Sequence, residues 1–137
     1  MNAEKTILFV CVENAGRSQM AEGFFNRYAP RGYRAASAGT RPAGEINPIA
    51  IQAMKEAGID ISRQKSKIIT DEMIRNSVTT VNMGCMDQAE CPMLFLNNPI
   101  DWVIEDPKAK SIEHVRVIRD DIERRVKEFA ERLKSQA

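Results

Sequence analysis

Apolar positions along this chain follow two periods, and the changes between them outline a fold. Residues 5–12, KTILFVCV, are a near-continuous apolar run, the pattern of a strand buried on both faces. From Arg17 onward the spacing becomes helical. Met20, Ala21, Phe24, Phe25 and Tyr28 share one face, and Pro30 stops the pattern, which predicts a helix over 17–29. Residues 33–39, YRAASAG, read as a second short strand closed by Gly39. A helix follows over 47–59, with Asn47 as cap, Pro48 in its first turn and Gly58 at its end. Residues 70–77 give one or two helical turns capped by Thr70, 78–84 a third strand, and 101–106 a fourth that ends at Asp106-Pro107. The last helix, 111–135, is the plainest: Ile112, Val115, Ile118, Ile122, Val126, Phe129 and Leu133 step by three and four without a break.

Strands alternating with helices predict an α/β domain, a parallel sheet between helical layers, with 1–137 as one unit. In such sheets ligands bind beyond the carboxyl ends of the strands. The loops after Cys11, after Gly84 and at Asp106 all follow strands, so the sequence places them on one edge.

Composition narrows the chemistry. A formal net charge of +1 with few aromatics gives no basis for binding nucleic acid or an anionic membrane. No apolar run reaches the roughly 18 residues of a membrane span, and the N-terminal run reads as a strand rather than an export signal, so a cytoplasmic location is expected. Three cysteines without an export signal argue against a structural disulfide framework. The single histidine, His114, is expected on an exposed helix face, and no metal site is expected from the cysteines.

The chemistry concentrates in CVENAGRS, residues 11–18. A strand-to-helix loop presents successive backbone N–H groups, and the helix start adds partial positive charge, so Val12, Glu13, Asn14, Ala15, Gly16, Arg17 and Ser18 form a candidate anion cradle. Arg17 brings a planar fork suited to two oxygens of a tetrahedral oxyanion. The same field stabilises a thiolate at Cys11, a nucleophile on the cradle floor, and Ser18 is placed to donate its hydroxyl to it. Asn14 suits a left-handed backbone turn. A Walker-type loop differs: it needs Gly-Lys-Ser/Thr and has no cysteine.

The stretches CVENAGRSQMAEGF, SAGT, NPIAIQAMKEAGIDIS, MGC with a later CP, and DP resemble the low-molecular-weight tyrosine phosphatase fold, which includes the thioredoxin-coupled arsenate reductases. The resemblance covers almost the whole chain. It implies a three-layer sandwich with a four-stranded parallel sheet, Cys11 as nucleophile, Arg17 as oxyanion clamp and Asp106 as general acid. It further implies that Cys85 attacks the arsenic-bearing Cys11, and that Cys91 then carries the disulfide to Cys85–Cys91 for reduced thioredoxin, or another thiol donor, to reduce. No bound cofactor is implied. Gln19-Met20-Ala21-Glu22 after Arg17-Ser18, and Lys108 rather than an aromatic after Asp106-Pro107, resemble the reductases more than the phosphatases.

Gly16 stands where many relatives carry a cysteine. Some reductases hold a potassium ion at positions matching Asn14, Glu22 and Ser37; the matching aspartate is Lys67 here, whose ammonium is expected to pair with Glu22 in place of the ion. The expectation is therefore an arsenate reductase. The alternatives are a phosphatase acting through a phosphocysteine and a non-enzymatic oxyanion-binding or redox-sensing module.

Overall fold

In the computed structural model, which describes residues 4–84, 94 and 98–136, the opening apolar run forms β1 (Lys5–Cys11) at the heart of the sheet. Its side chains alternate, as a strand's must. Ile7 and Phe9 enter one core while Leu8 and Val10 enter another on the opposite face, so the run has no polar side. Strands β2 (Tyr33–Gly39) and β3 (Ser77–Asn82) flank β1, and the two-residue β4 (Ile100–Asp101) lies outside β3. The order is β2-β1-β3-β4 and every pairing is parallel.

The larger core lies under α1 (Arg17–Tyr28), α2 (Pro48–Glu56) and α4 (Ile112–Ser135); the smaller lies under the short α3 (Asp71–Arg75) and includes Leu94. This is the expected three-layer α/β sandwich. Phe9, Phe25, Trp102 and Phe129 form an aromatic cluster with neighbouring ring centroids 5.8 to 6.1 Å apart, the rings tilted or edge-on rather than face to face.

Caps set the helix starts. Asn47 Oδ1 accepts from Ile49 N at 2.9 Å, Thr70 Oγ1 from Met73 N at 3.1 Å and Ser111 Oγ from His114 N at 3.2 Å. Helix α1 is the exception: Gly16 precedes it and offers no side-chain cap, which leaves its first N–H groups to whatever lies beyond. His114 sits exposed in the first turn of α4, with Nε2 2.8 Å from Glu105 Oε1.

The fourth strand is shorter than the expected 101–106. Trp102 N still bonds to Asn82 O at 2.9 Å, but β3 ends at Asn82 and offers no ladder further on. Side chains take over the carbonyls: Arg17 Nη1 donates to Ile104 O at 3.1 Å and Arg125 Nη2 to Val103 O at 3.5 Å. Backbone satisfied by side chains has no need of a strand partner. Among the described residues no helix is long and apolar enough to cross a membrane.

Candidate active site

β1 and β3 are adjacent while the chain leaves β1 towards β2 on its other side, so the crevice beyond their carboxyl ends is the place for a ligand. Cys11 is the last residue of β1 and is 3% exposed. Gly39 pairs with it at the end of β2, and the loop folds tightly over that glycine. A β-carbon at Gly39 would lie 2.4 Å from Val12 O and 2.7 Å from Cys11 O, both backbone atoms that cannot swing aside. Gly39→Ala is expected to destabilise the protein by about 2–3 kcal/mol, as overpacking does, and to lower activity by shifting the loop. Denaturant unfolding with a parallel activity assay checks this; wild-type behaviour in both would show that the loop yields freely.

The loop itself is held by its carbonyls. Arg41 N donates to Val12 O, Ala43 N to Glu13 O and Asn47 N to Ala15 O, each at 2.9 Å, and Met20 N donates to Gly16 O as α1 begins. Gln19 Nε2 donates to Asn14 O at 3.0 Å. In a trans peptide the C=O and the following N–H point in opposite directions. Carbonyls of residues 12–16 turned to the scaffold therefore leave the amides of 13–17 to the other side. That side is a cavity of about 430 Å³, lined by the loop and by Asp106, Pro107 and Lys108. With the uncapped start of α1 at its edge, the cavity presents the kind of donors that suit an anion.

A chain of neutral side chains fixes Cys11. Asn14 has the left-handed backbone expected of it, φ 50°. Its Oδ1 accepts from the backbone N–H of Lys67 at 2.8 Å, which settles the orientation of the amide: Nδ2 faces Ser18 Oγ at 2.8 Å and donates to it. Ser18 Oγ lies 2.9 Å from Cys11 Sγ and, with Asn14 donating to its oxygen, is free to give its own proton to a thiolate. Gln19 Nε2 also bonds to Asn14 Oδ1 and Lys65 O, while Gln19 Oε1 accepts from Gln64 Nε2 at 2.8 Å. Asn14, Ser18 and Gln19 are all 0% exposed.

Arg17, buried at the start of α1, is anchored by Ile104 O; its Nη2 lies 3.6 Å from Asp106 Oδ2. Gly84 packs on the guanidinium so closely that a β-carbon there would meet Nη1 at 2.3 Å. Asp106 keeps 53% of its side chain exposed, and its Oδ1 accepts from Lys108 N at 3.0 Å. Pro107 rests against Gly16, where a β-carbon would lie 2.6 Å from Pro107 Cγ, so a side chain at position 16 would displace the segment that carries Asp106. A buried thiol, a guanidinium fork and a water-accessible carboxyl thus share one cavity.

Residues 6–137 match the sequence profile described as low molecular weight phosphotyrosine protein phosphatase. The chain belongs to this family. Among its relatives an arsenate reductase of Brevibacillus brevis is 37% identical over 96% of this chain and 98% of its own length. An arsenate reductase solved in the phosphate binding state superposes with a TM-score of 0.83 at 32% identity, over 93% of this chain and 98% of that one. A thioredoxin-dependent arsenate reductase of Corynebacterium glutamicum gives 0.82 at 33% identity, over 99% of this chain and 65% of that one.

Of the residues expected to act, the phosphatase-family fold brings Cys11, Arg17 and Asp106 around one cavity, while Ser18 and Asn14 lie buried behind Cys11 and outside its lining. Cys85 and Cys91 lie outside the described residues. The expected pairing of Lys67 with Glu22 is not found: the Lys67 ammonium donates to the carbonyl of Lys65 at 2.8 Å. Two residues along the same exposed segment, that carbonyl is simply nearer. Lys67 contributes instead through its backbone N–H, on Asn14. Glu22 is held by Ser37 Oγ at 2.5 Å; burial pushes its carboxyl up, against the pull of that hydrogen bond and of the Lys67 and Arg34 charges. Gln19 and Gln64 are positioning groups that no motif of the sequence marks. A glutamine beside Ser18 in the first turn of a helix with no cap was the available signal.

Proposed function

We propose that this protein reduces arsenate to arsenite, with Cys11 as nucleophile and reduced thioredoxin as the electron donor. The observation that carries the reading is the wall of the cavity. No aromatic residue lines it among the described residues, and Lys108 occupies the place beyond Asp106-Pro107 where a ring would stack on a tyrosyl group. The 37% identity to a relative named arsenate reductase supports it.

Arsenate would bind in the cradle with its oxygens on the loop amides and on Arg17. The Cys11 thiolate attacks arsenic; Asp106 protonates one hydroxyl, which leaves as water, and a Cys11–arsenic bond remains. The Cys85 thiolate then attacks Cys11 Sγ. A Cys11–Cys85 disulfide forms, the electron pair of the sulfur–arsenic bond passes to arsenic, and arsenic(V) departs as arsenite. Cys91 attacks Cys85 and frees the Cys11 thiolate. Thioredoxin supplies two electrons to the Cys85–Cys91 disulfide. Gly84, against the Arg17 guanidinium, brings the chain to the cradle one residue before Cys85, which supports its role.

The test is arsenite release with thioredoxin, thioredoxin reductase and its nicotinamide cofactor, beside hydrolysis of para-nitrophenyl phosphate, for wild type and Cys85→Ser. Multiple turnovers of arsenate in the wild type, stopped by Cys85→Ser while ester hydrolysis continues, are expected. Ester cleavage by both proteins without any arsenite would identify a phosphatase and reject the cascade.

A further inference from the structure

The cavity falls within the size range of pockets for organic ligands, more room than a four-oxygen anion requires. The cradle alone grips a phosphate ester as well as a free oxyanion, because both present the same oxygens to the loop amides and Arg17. Something at the mouth must discriminate between them. An acid that protonates a departing oxygen has to stand beside it, so the organic group of an ester would extend past Asp106.

That side is spanned by a bond between the two walls. Lys108 Nζ lies 2.9 Å from Glu13 Oε2, joining the cradle loop to the segment that carries Asp106. Both residues line the cavity, and the Lys108 backbone N–H also holds Asp106 Oδ1. Glu13 is an acidic residue within a loop that binds anions, and its carboxylate repels the ligand unless a cation covers it. The carboxylate in turn pushes the Lys108 ammonium up, keeping it charged.

We propose that the Lys108–Glu13 ion pair is a latch that makes the site selective for free tetrahedral oxyanions over organic esters. Closed, it covers the carboxylate beside the cradle and bars the path an ester's organic group would take. The inference rests on the oxyanion reading of the site and names how that site selects its substrate class. The side chains are 67% and 38% exposed, so the latch is weak enough to open for product release.

Binding of inorganic phosphate and of phenylphosphonate, measured by calorimetry at low salt, tests the latch without any reduction step. Lys108→Ala is expected to weaken phosphate binding about threefold, on the scale of exposed ion pairs, and to leave phenylphosphonate as tight or tighter. The ratio of the two affinities then moves towards the phosphonate by about threefold or more. Glu13→Gln combined with Lys108→Ala should regain the phosphate affinity, because no carboxylate is left to uncover, while the ratio stays shifted. Lys108→Arg should hold the wild-type ratio. A ratio unchanged in Lys108→Ala overturns the latch, as does a phosphate loss that Glu13→Gln fails to recover. A wild type that binds phosphate but turns over no arsenate would defeat the reductase reading alone; one that binds no phosphate defeats the cradle and the latch together.

Discussion

Cys11→Ser is expected to fold like the wild type and to lose turnover by at least about 10⁴-fold, on arsenate and on para-nitrophenyl phosphate alike. The substitution changes one atom in a nearly closed position, and a hydroxyl there can keep the bond to Ser18 Oγ. What it removes is the sulfur nucleophile, because a serine hydroxyl attacks far less readily than a thiol. For arsenate the loss is complete in principle. Oxygen cannot enter the disulfide through which the electron pair reaches arsenic, so not even one equivalent of arsenite should appear. Single-turnover arsenite assays with thermal unfolding on the same samples decide it; a stably folded variant that still made stoichiometric arsenite would remove Cys11 from the reaction.

Arg17→Lys should be nearly as damaging despite keeping the charge. Loss of about 10²–10³ in kcat/KM is expected, the scale for removing one preorganised oxyanion donor. The planar fork performs two tasks at once. Nη1 holds Ile104 O and Nη2 faces Asp106, which leaves the guanidinium edge set for two oxygens of the substrate. An ammonium has no plane, reaches fewer partners and leaves Ile104 O without its donor. The vacated space beside Gly84 would let water into the cradle. Steady-state kinetics check this, with inorganic phosphate affinity as the second readout. Kinetics within threefold of wild type would place the oxyanion elsewhere.

How far the sequence could be read depended on whether a feature was local. The periods in residues 5–12 and 111–135 translate directly into burial, because each side chain's face follows from its own position in a regular element. The cradle was legible for a related reason: Cys11, Arg17 and Ser18 lie within one strand-loop-helix unit. The extent of β4 was not legible, since residues 101–106 have strand-like composition and only the end of β3 and the claims of Arg17 and Arg125 on their carbonyls shorten it. Gln64 bonds Gln19 across 45 positions, a contact no spacing rule anticipates. Lys67 failed for the opposite reason. Its charge matched a role, but a carbonyl two residues away competed successfully for its ammonium.

The support beneath Cys11 has one property in common throughout. Asn14, Ser18, Gln19 and Gln64, with the backbone groups of Lys65 and Lys67, contain no group that gains or loses a proton in the range where proteins stay folded. A nucleophile oriented by amides and a hydroxyl keeps its aim in acid and in alkali, and added salt does not screen it. The scaffold that aims Cys11 therefore adds no slope of its own to the pH profile of the enzyme.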